Sequence, residues 1–256
     1  MPYRLSGVHL AIEGREILSP LTLELPAGRV VGLIGQNGSG KSSLIKLLAR
    51  QTAPSGGDIL YEGEQVARLA ARELARRSAY LPQTPPPVAG LLVREFVAFG
   101  RYPWHGALGR FGAEDRREVA DAMRLTGVAV FAERLVETLS GGERQRVWLA
   151  MLVAQNSRCL LLDEPISALD VAHQVEVMSL IRALCREREL GAVVVLHDVN
   201  IAARFCDHIV ALKDGALLMS GTPAELMRAD RLEAIYGIPM GVLPHPTSGA
   251  PMSFVH

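Results

Sequence analysis

The sequence predicts an α/β fold built on a largely parallel sheet. Three observations lead there: apolar runs of strand length alternate with helical patterns, one run feeds a glycine-rich loop that opens a helix, and another ends in two adjacent carboxylates. An inserted, mainly helical segment interrupts the alternation.

Residues 4–12 and 21–25 read as strands. The apolar run at 29–34 then enters Gly35-Gln36-Asn37-Gly38-Ser39-Gly40-Lys41-Ser42, which fits the phosphate-loop pattern G-x-x-x-x-G-K-[ST]. Its glycines let backbone N–H groups turn toward α- and β-phosphates, Lys41 brings a point charge to the β/γ-phosphates, and Ser42 offers a hydroxyl to Mg²⁺. A helix over residues 42–49, with Ser43 in its first turn, directs its positive N-terminal end at the same phosphates. The candidate nucleotide set is therefore Gly35 through Gly40 with Lys41, Ser42 and Ser43.

Further strands are expected at 58–61, 78–81, 159–163, 192–197 and 208–213, with helices between several of them. After residue 82 the character changes. Pro82, Pro85, Pro86 and Pro87 form a semi-rigid connector into helical segments at 93–99 and 114–126, so residues 85–156 read as an insertion able to transmit displacement.

Cys159-Leu160-Leu161-Leu162-Asp163-Glu164-Pro165 suits a buried strand that delivers charge to the sheet rim, where ligands of parallel sheets bind. Alone, such a strand is more often structural; with a phosphate loop in the same chain the balance reverses. Asp163 is then the Mg²⁺ residue, and Glu164 either orients or deprotonates the attacking water. In Leu139-Ser140-Gly141-Gly142-Glu143-Arg144-Gln145-Arg146, Ser140 is an N-cap and the glycines permit close backbone approach, giving a second anion-binding helix start that runs through residue 156; alone, it is an ordinary Ser-capped helix.

Composition narrows the function. Of 256 residues, 49% are hydrophobic, enough for a sizeable core, and 27 Lys+Arg balance 27 Asp+Glu, which argues against a nucleic-acid partner. Cys159, Cys185 and Cys206 are odd in number and lack C-x-x-C spacing, so a reduced cytosol is expected, with no disulfide framework or zinc site. The N-terminus shows no signal-peptide apolar core, and no run approaches the roughly 18 apolar residues of a membrane helix. A soluble chain is expected.

Taken together, the motifs resemble those of ATP-binding-cassette ATPases, in the family's order: Walker A at Gly35 to Ser42, the Q-loop glutamine at Gln83, the signature at Leu139 to Glu143, Walker B at Asp163 and Glu164, the D-loop at Ser167-Ala168-Leu169-Asp170, and the switch histidine at His197. The resemblance covers nearly the whole chain. It implies a P-loop NTPase (RecA-like) core over 1–84 and 157–221 with N-terminal antiparallel β strands, a helical signature subdomain at 85–156 and a C-terminal extension at 222–256. It further implies ATP and Mg²⁺ as cofactors, and a head-to-tail homodimer in the ATP-bound state in which Ser140, Gly141 and Gly142 act in trans. In that arrangement Ser42, Gln83 and Asp163 face Mg²⁺, His197 hydrogen-bonds the γ-phosphate, Gln83 reports nucleotide state to the helical subdomain, and Asp170 lies at the nucleotide interface. Where the family commonly stacks an aromatic on adenine, this chain has Ile12, which implies apolar contact and looser base selectivity. Ile166 replaces the Thr or Ser often found after the Glu-Pro pair, and a local packing change is expected.

Two strings outside the general motifs, residues 100–112 and the tail 235–255, resemble the ATPases of bacterial iron-siderophore importers, in particular the ferric-hydroxamate type. That likeness implies separate inner-membrane permease chains, a periplasmic substrate-binding protein engaged indirectly, and a peripheral position on the cytoplasmic face of the inner membrane. Haem, cobalamin and other siderophores stay open as cargo, and a soluble cassette acting on nucleic acid or ribosomes is the competing class. Tyr102, Trp104 and Phe111 read as a small packed core first and a protein interface second.

Overall fold

In β3 (Val30–Ile34) every residue is buried, yet Val30 and Ile34 enter one core while Val31 and Leu33 enter another. Successive side chains of a strand point to opposite faces, so a strand that is apolar throughout must be covered on both. The structure, a computed structural model, describes residues 3–106, 109–247 and 249–256. Met1 and Pro2 of the N-terminal segment, and Ala107 and Leu108 of the 100–112 string, lie outside the described residues.

The strands preceding β3 are β1 (Tyr3–Ile12) and β2 (Arg15–Leu25). After it come α1 (Lys41–Leu48), β4 (Gly56–Tyr61), β5 (Glu64–Gln65), α2 (Ala71–Arg77) and β6 (Ser78–Leu81). The insertion carries α3 (Val93–Ala98), α4 (Tyr102–His105), α5 (Ala113–Leu125) and α6 (Gly141–Ala154). The chain then resumes with β7 (Cys159–Leu162), α7 (Val171–Glu187), β8 (Gly191–Val195), α8 (Val199–Phe205), β9 (His208–Lys213) and β10 (Ala216–Gly221). It ends in α9 (Pro223–Leu226), α10 (Ala229–Tyr236) and the hairpin β11 (Met240–Pro244) and β12 (Pro251–Val255).

The central sheet has the order β10-β9-β3-β8-β7-β6. From β9 to β6 all neighbours are parallel, and β10 closes one edge antiparallel to β9. A second, antiparallel sheet of order β2-β1-β4-β5 shares a core with α1 and with Val31, Leu33, Leu161, Val193, Val195, Val210 and Leu212. On the opposite face Ile34, Leu162, Val194 and Ala211 pack with the insertion and with α7 and α8. Helices on one face and a small sheet on the other thus seal the parallel strands and leave their C-terminal ends as the open rim.

Boundaries move by a residue or two at most helix and strand ends. Larger differences have physical causes. The strand expected at 21–25 begins at Arg15, because pairing with β1 runs the full length from Ile12–Arg15 to Tyr3–Leu25. The helix expected through residue 156 stops at Ala154, and Asn156 turns out of it at φ 52°. β8 ends at Val195, so His197 stands beyond the strand, and β5, β10 and the terminal hairpin are additions.

The 100–112 string braces the insertion against the core. Arg101, 2% exposed, donates from Nε to Asp115 at 2.9 Å and from a terminal nitrogen to the Ala154 carbonyl at 3.0 Å. The Trp104 indole donates to the Gln155 carbonyl at 2.7 Å and lies beneath the Arg76 guanidinium of α2, 4.9 Å from the ring centroid. Trp104 is therefore a partly exposed brace. Tyr102 is 52% exposed and Phe111, like Trp104, 37%, which corrects the small-core reading for all three rings.

Candidate functional site

β3 delivers the chain to a loop whose glycines are sterically required. A Cβ on Gly35, at φ 144°, would lie 2.1 Å from the Leu212 carbonyl oxygen, and one on Gly40, at φ 94°, would lie 2.4 Å from Leu18 Cδ2. Lys41 is buried at the base of the loop and donates from Nζ to the carbonyls of Gly35 at 2.9 Å and Gln36 at 2.8 Å. Burial lowers its pKa, with Glu164 and then Asp163 pulling the other way.

Ser42 Oγ donates to Asp163 Oδ1 at 2.9 Å, joining the first turn of α1 to the end of β7. Asp163 is 1% exposed, and its Oδ2, like Ser39 Oγ, is buried without a hydrogen-bond partner. Burial raises the Asp163 pKa, against the opposing Ser42 bond and the Lys46 and Lys41 charges. A buried carboxylate oxygen with open lone pairs beside a hydroxyl is the oxygen donor set a hard divalent cation takes up. The residues present fit Mg²⁺.

Glu164 has φ 51°, an uncommon backbone state for a residue with a side chain. The turn lets its carboxylate leave β7 sideways, and Oε2 meets His197 Nε2 at 2.8 Å beyond the neighbouring β8. Both side chains line an open cleft with Gly35, Gln36, Asn37, Gly38, Gln83 and Tyr236. Gln83 and Glu164 also line a second cleft of about 400 Å³ with Pro85 to Pro87, Gly141, Gln145 and Leu169, so they stand where the nucleotide loop and the helical insertion meet. Ile166 is buried in the core below.

Apart from Gly141, which reaches the second cleft, the signature residues and Asp170 lie away from these clefts. Ser140 caps α6 through a reciprocal pair: Glu143 N donates to Ser140 Oγ at 3.3 Å and Ser140 N donates to Glu143 Oε2 at 2.8 Å. A Cβ on Gly142 would lie 2.6 Å from His173 Cδ2, and Asp170 caps α7 by accepting from His173 N at 2.9 Å. None of Ser140, Gly141, Gly142 or Asp170 lines the clefts around the phosphate loop of its own chain. Ile12 is half exposed at the tip of β1 and is also absent from those walls, whereas Arg15 and Ile17 of β2 line the cleft with Asn37 to Ser43. Arg15, Ile17 and Tyr236 are site neighbours absent from the sequence expectation, since β2 begins at Arg15 instead of residue 21 and the tail carries only a subfamily resemblance. The sequence signal for the first two is the Glu13-Gly14 pair, both at positive φ, which turns β1 back into β2 between Ile12 and Arg15.

Among the described residues no helix is long and apolar enough to cross a membrane. The profile of the ABC transporter family matches residues 18–167. The iron(3+)-hydroxamate import ATP-binding protein FhuC of Bacillus subtilis is 39% identical over 94% of this chain and 90% of its own. The ferric enterobactin transport ATP-binding protein FepC of Escherichia coli is 40% identical over 91% and 86%. The hemin import ATP-binding protein HmuV of Bordetella pertussis is 42% identical over 96% of both chains. Among solved structures, a metal-chelate type ABC transporter in an inward-facing conformation superposes with TM-score 0.86 at 23% identity, covering 100% of this chain and 96% of that one. A dimeric bacterial ABC transporter cassette superposes with TM-score 0.74 at 27% identity, covering 86% and 98%.

Proposed function

We propose, from the premise that this chain belongs to the ABC transporter family, that it is the ATP-hydrolysing subunit of an importer for iron(III)-hydroxamate siderophores. The observation that carries the ATPase reading is the convergence of Lys41, Ser42, Asp163, Glu164 and His197 at the rim of one parallel sheet. ATP binds with its phosphates on the Gly35–Ser43 loop. Mg²⁺, when bound, neutralises phosphate charge, and Ser42, Asp163 and Gln83 are the residues that hold it. Lys41 exchanges its two carbonyl partners for phosphate oxygens. Glu164 accepts a hydrogen bond from the attacking water, which orients it, and His197 exchanges its Nε2 contact with Glu164 for a hydrogen bond donated to the γ-phosphate. The base rests on Ile17 and Arg15 near Ile12.

Ser140 and Gly141 are exposed, Gly142 is buried beside His173, and none of the three lines the cleft of its own phosphate loop, which supports their use by a second copy: two chains pair head to tail around two nucleotides. The permease contact falls on the surface near Gln83 and the helical region that follows it, where an apolar groove of Ala98, Phe111, Val119, Met123 and Ala132 supports the reading; the subunit is then peripheral to the cytoplasmic face of the inner membrane, with a periplasmic binding protein engaged only through the permease. ATP-driven closure then moves that groove.

Cargo is tested by uptake. Cells whose only copy carries Glu164→Gln are expected to lose energy-dependent uptake of radiolabelled ferric hydroxamates while retaining outer-surface binding. A second reading, haem import, is favoured by the higher identity to the hemin protein over nearly the whole of both chains. Loss of haem uptake with intact hydroxamate uptake in the same cells selects it.

A further inference from the structure

We propose that the C-terminal extension is a positioning element of the nucleotide site, holding the phosphate loop and the segment that carries His197 in register. Two links make the connection. At the first, Gln36 Nε2 donates to the Tyr236 carbonyl at 2.5 Å, at the end of α10. Gly237, at φ 72°, stops the helix there, and a Cβ on it would come within 3.2 Å of Gln36 Nε2. Lys213 Nζ anchors the same helix end through the Ala234 carbonyl at 2.7 Å.

At the second link, Asn200 uses its whole amide on the hairpin. Nδ2 donates to the Ser253 carbonyl at 3.1 Å, while Oδ1 accepts from Ser253 N at 2.7 Å and Ser253 Oγ at 3.1 Å. Asn200 lies in the first turn of α8, where Asp198 accepts from its backbone N–H at 2.7 Å as the cap. His197 immediately precedes that cap. A rigid amide bonded at three points therefore fixes the turn from which the histidine leaves, and a partly exposed histidine has little packing of its own to fix it. Tyr236 joins the two links: its residue walls the cleft shared by Gln36 and His197, and burial, followed by the Asp198 charge, pushes its phenol up to about 12, so it stays neutral beside the cap.

This inference rests on the hydrolytic roles proposed for Glu164 and His197, and the experiment separates the two. Steady-state ATP hydrolysis, equilibrium binding of a fluorescent ATP analogue and melting temperature are measured on the full chain for Asn200→Leu, Ser253→Ala and His197→Ala. Misplacing a catalytic group by about 1 Å costs up to about 100-fold, so Asn200→Leu is expected to lower kcat at least about tenfold while the analogue's Kd changes less than about threefold. Ser253→Ala keeps both backbone links and is expected to turn over within about twofold of the native chain. Should Asn200→Leu fail to fold, Asn200→Asp is read the same way: it keeps the bonds accepted by Oδ1, sets a second oxygen against the Ser253 carbonyl, and is expected to show a smaller fall in kcat. An Asn200→Leu protein that is folded and turns over normally while His197→Ala is inactive overturns the positioning role and leaves the site reading standing. Parallel losses of kcat, affinity and melting temperature overturn it in favour of general destabilisation. Normal turnover by His197→Ala removes the premise itself.

Discussion

Glu164 and His197 leave adjacent parallel strands and meet at 2.8 Å, Oε2 to Nε2, over the phosphate loop. Neither strand sequence alone contains this pair. The parallel register of β7 with β8 and the positive φ at Glu164 produce it together. The contact engages one carboxylate oxygen, Oε2, of Glu164.

Glu164→Gln keeps the volume but removes the charge, so hydrolysis is expected to fall about 100-fold or more while ATP still binds. Lys41→Ala removes the only loop side-chain cation and is expected to abolish binding as well as turnover. Titration with labelled ATP distinguishes the two, and equal affinity in both variants would remove the role given to Lys41.

Base contacts give a contrast within one strand pair. Ile17 walls the loop cleft and Ile12 does not. Burial of a methylene stabilises by about 0.8 kcal/mol, so Ile17→Ala, which removes three carbons that a base covers on about half their surface, is expected to weaken ATP about tenfold and Ile12→Ala by less than about twofold. Among the described residues that line the cleft with Ile17 none is Phe, Tyr or Trp, so GTP is expected to compete within about tenfold of ATP. Competition binding reads both, and strict adenine selectivity would contradict the assignment.

The Arg101–Asp115 brace predicts an acid limit. Burial alone would raise the Asp115 pKa, but the Gly112 N–H and the Arg101 guanidinium outweigh it and hold the carboxyl below its ordinary 3.8. A folded pKa below the unfolded one contributes stability above the unfolded value that is lost as pH falls through the folded one. Asp115→Ala strands a buried guanidinium and is expected to cost about 3 kcal/mol at neutral pH. Its stability should also decline less steeply below pH 4 than that of the native chain, as read by denaturant melts across pH. Parallel acid limbs in the two proteins would show that the brace contributes nothing there.

Much of this was legible because the central strands are apolar on both faces: Leu160 to Leu162 and Ala192 to Val195 can only be interior strands, and a phosphate loop after such a strand has one place to be. The edges were not. β10 alternates only weakly in burial, and β11 and β12 are short strands bearing Pro244 and Pro251, so they form because α8 and α10 give them a surface. Tyr236 and Asn200 were invisible as site neighbours for the same reason: their links span 200 and 53 residues and depend on where the tail docks. The signature was the reverse case, plain in the sequence as Ser140-Gly141-Gly142 but away from its own loop in the fold.

The central claim, that hydrolysis takes place at sites shared between two copies, is tested most directly by mixing inactive chains. Ser140→Arg is expected to bind ATP as a lone subunit yet block closure, and Lys41→Ala to lack a working phosphate loop, so each is inactive alone. Their heterodimer assembles one site from an intact loop on one chain and an intact signature on the other. Measurable ATP hydrolysis from the mixture, absent from either protein alone at the same total concentration, is the predicted result. Full turnover by the Ser140→Arg protein on its own would contradict it.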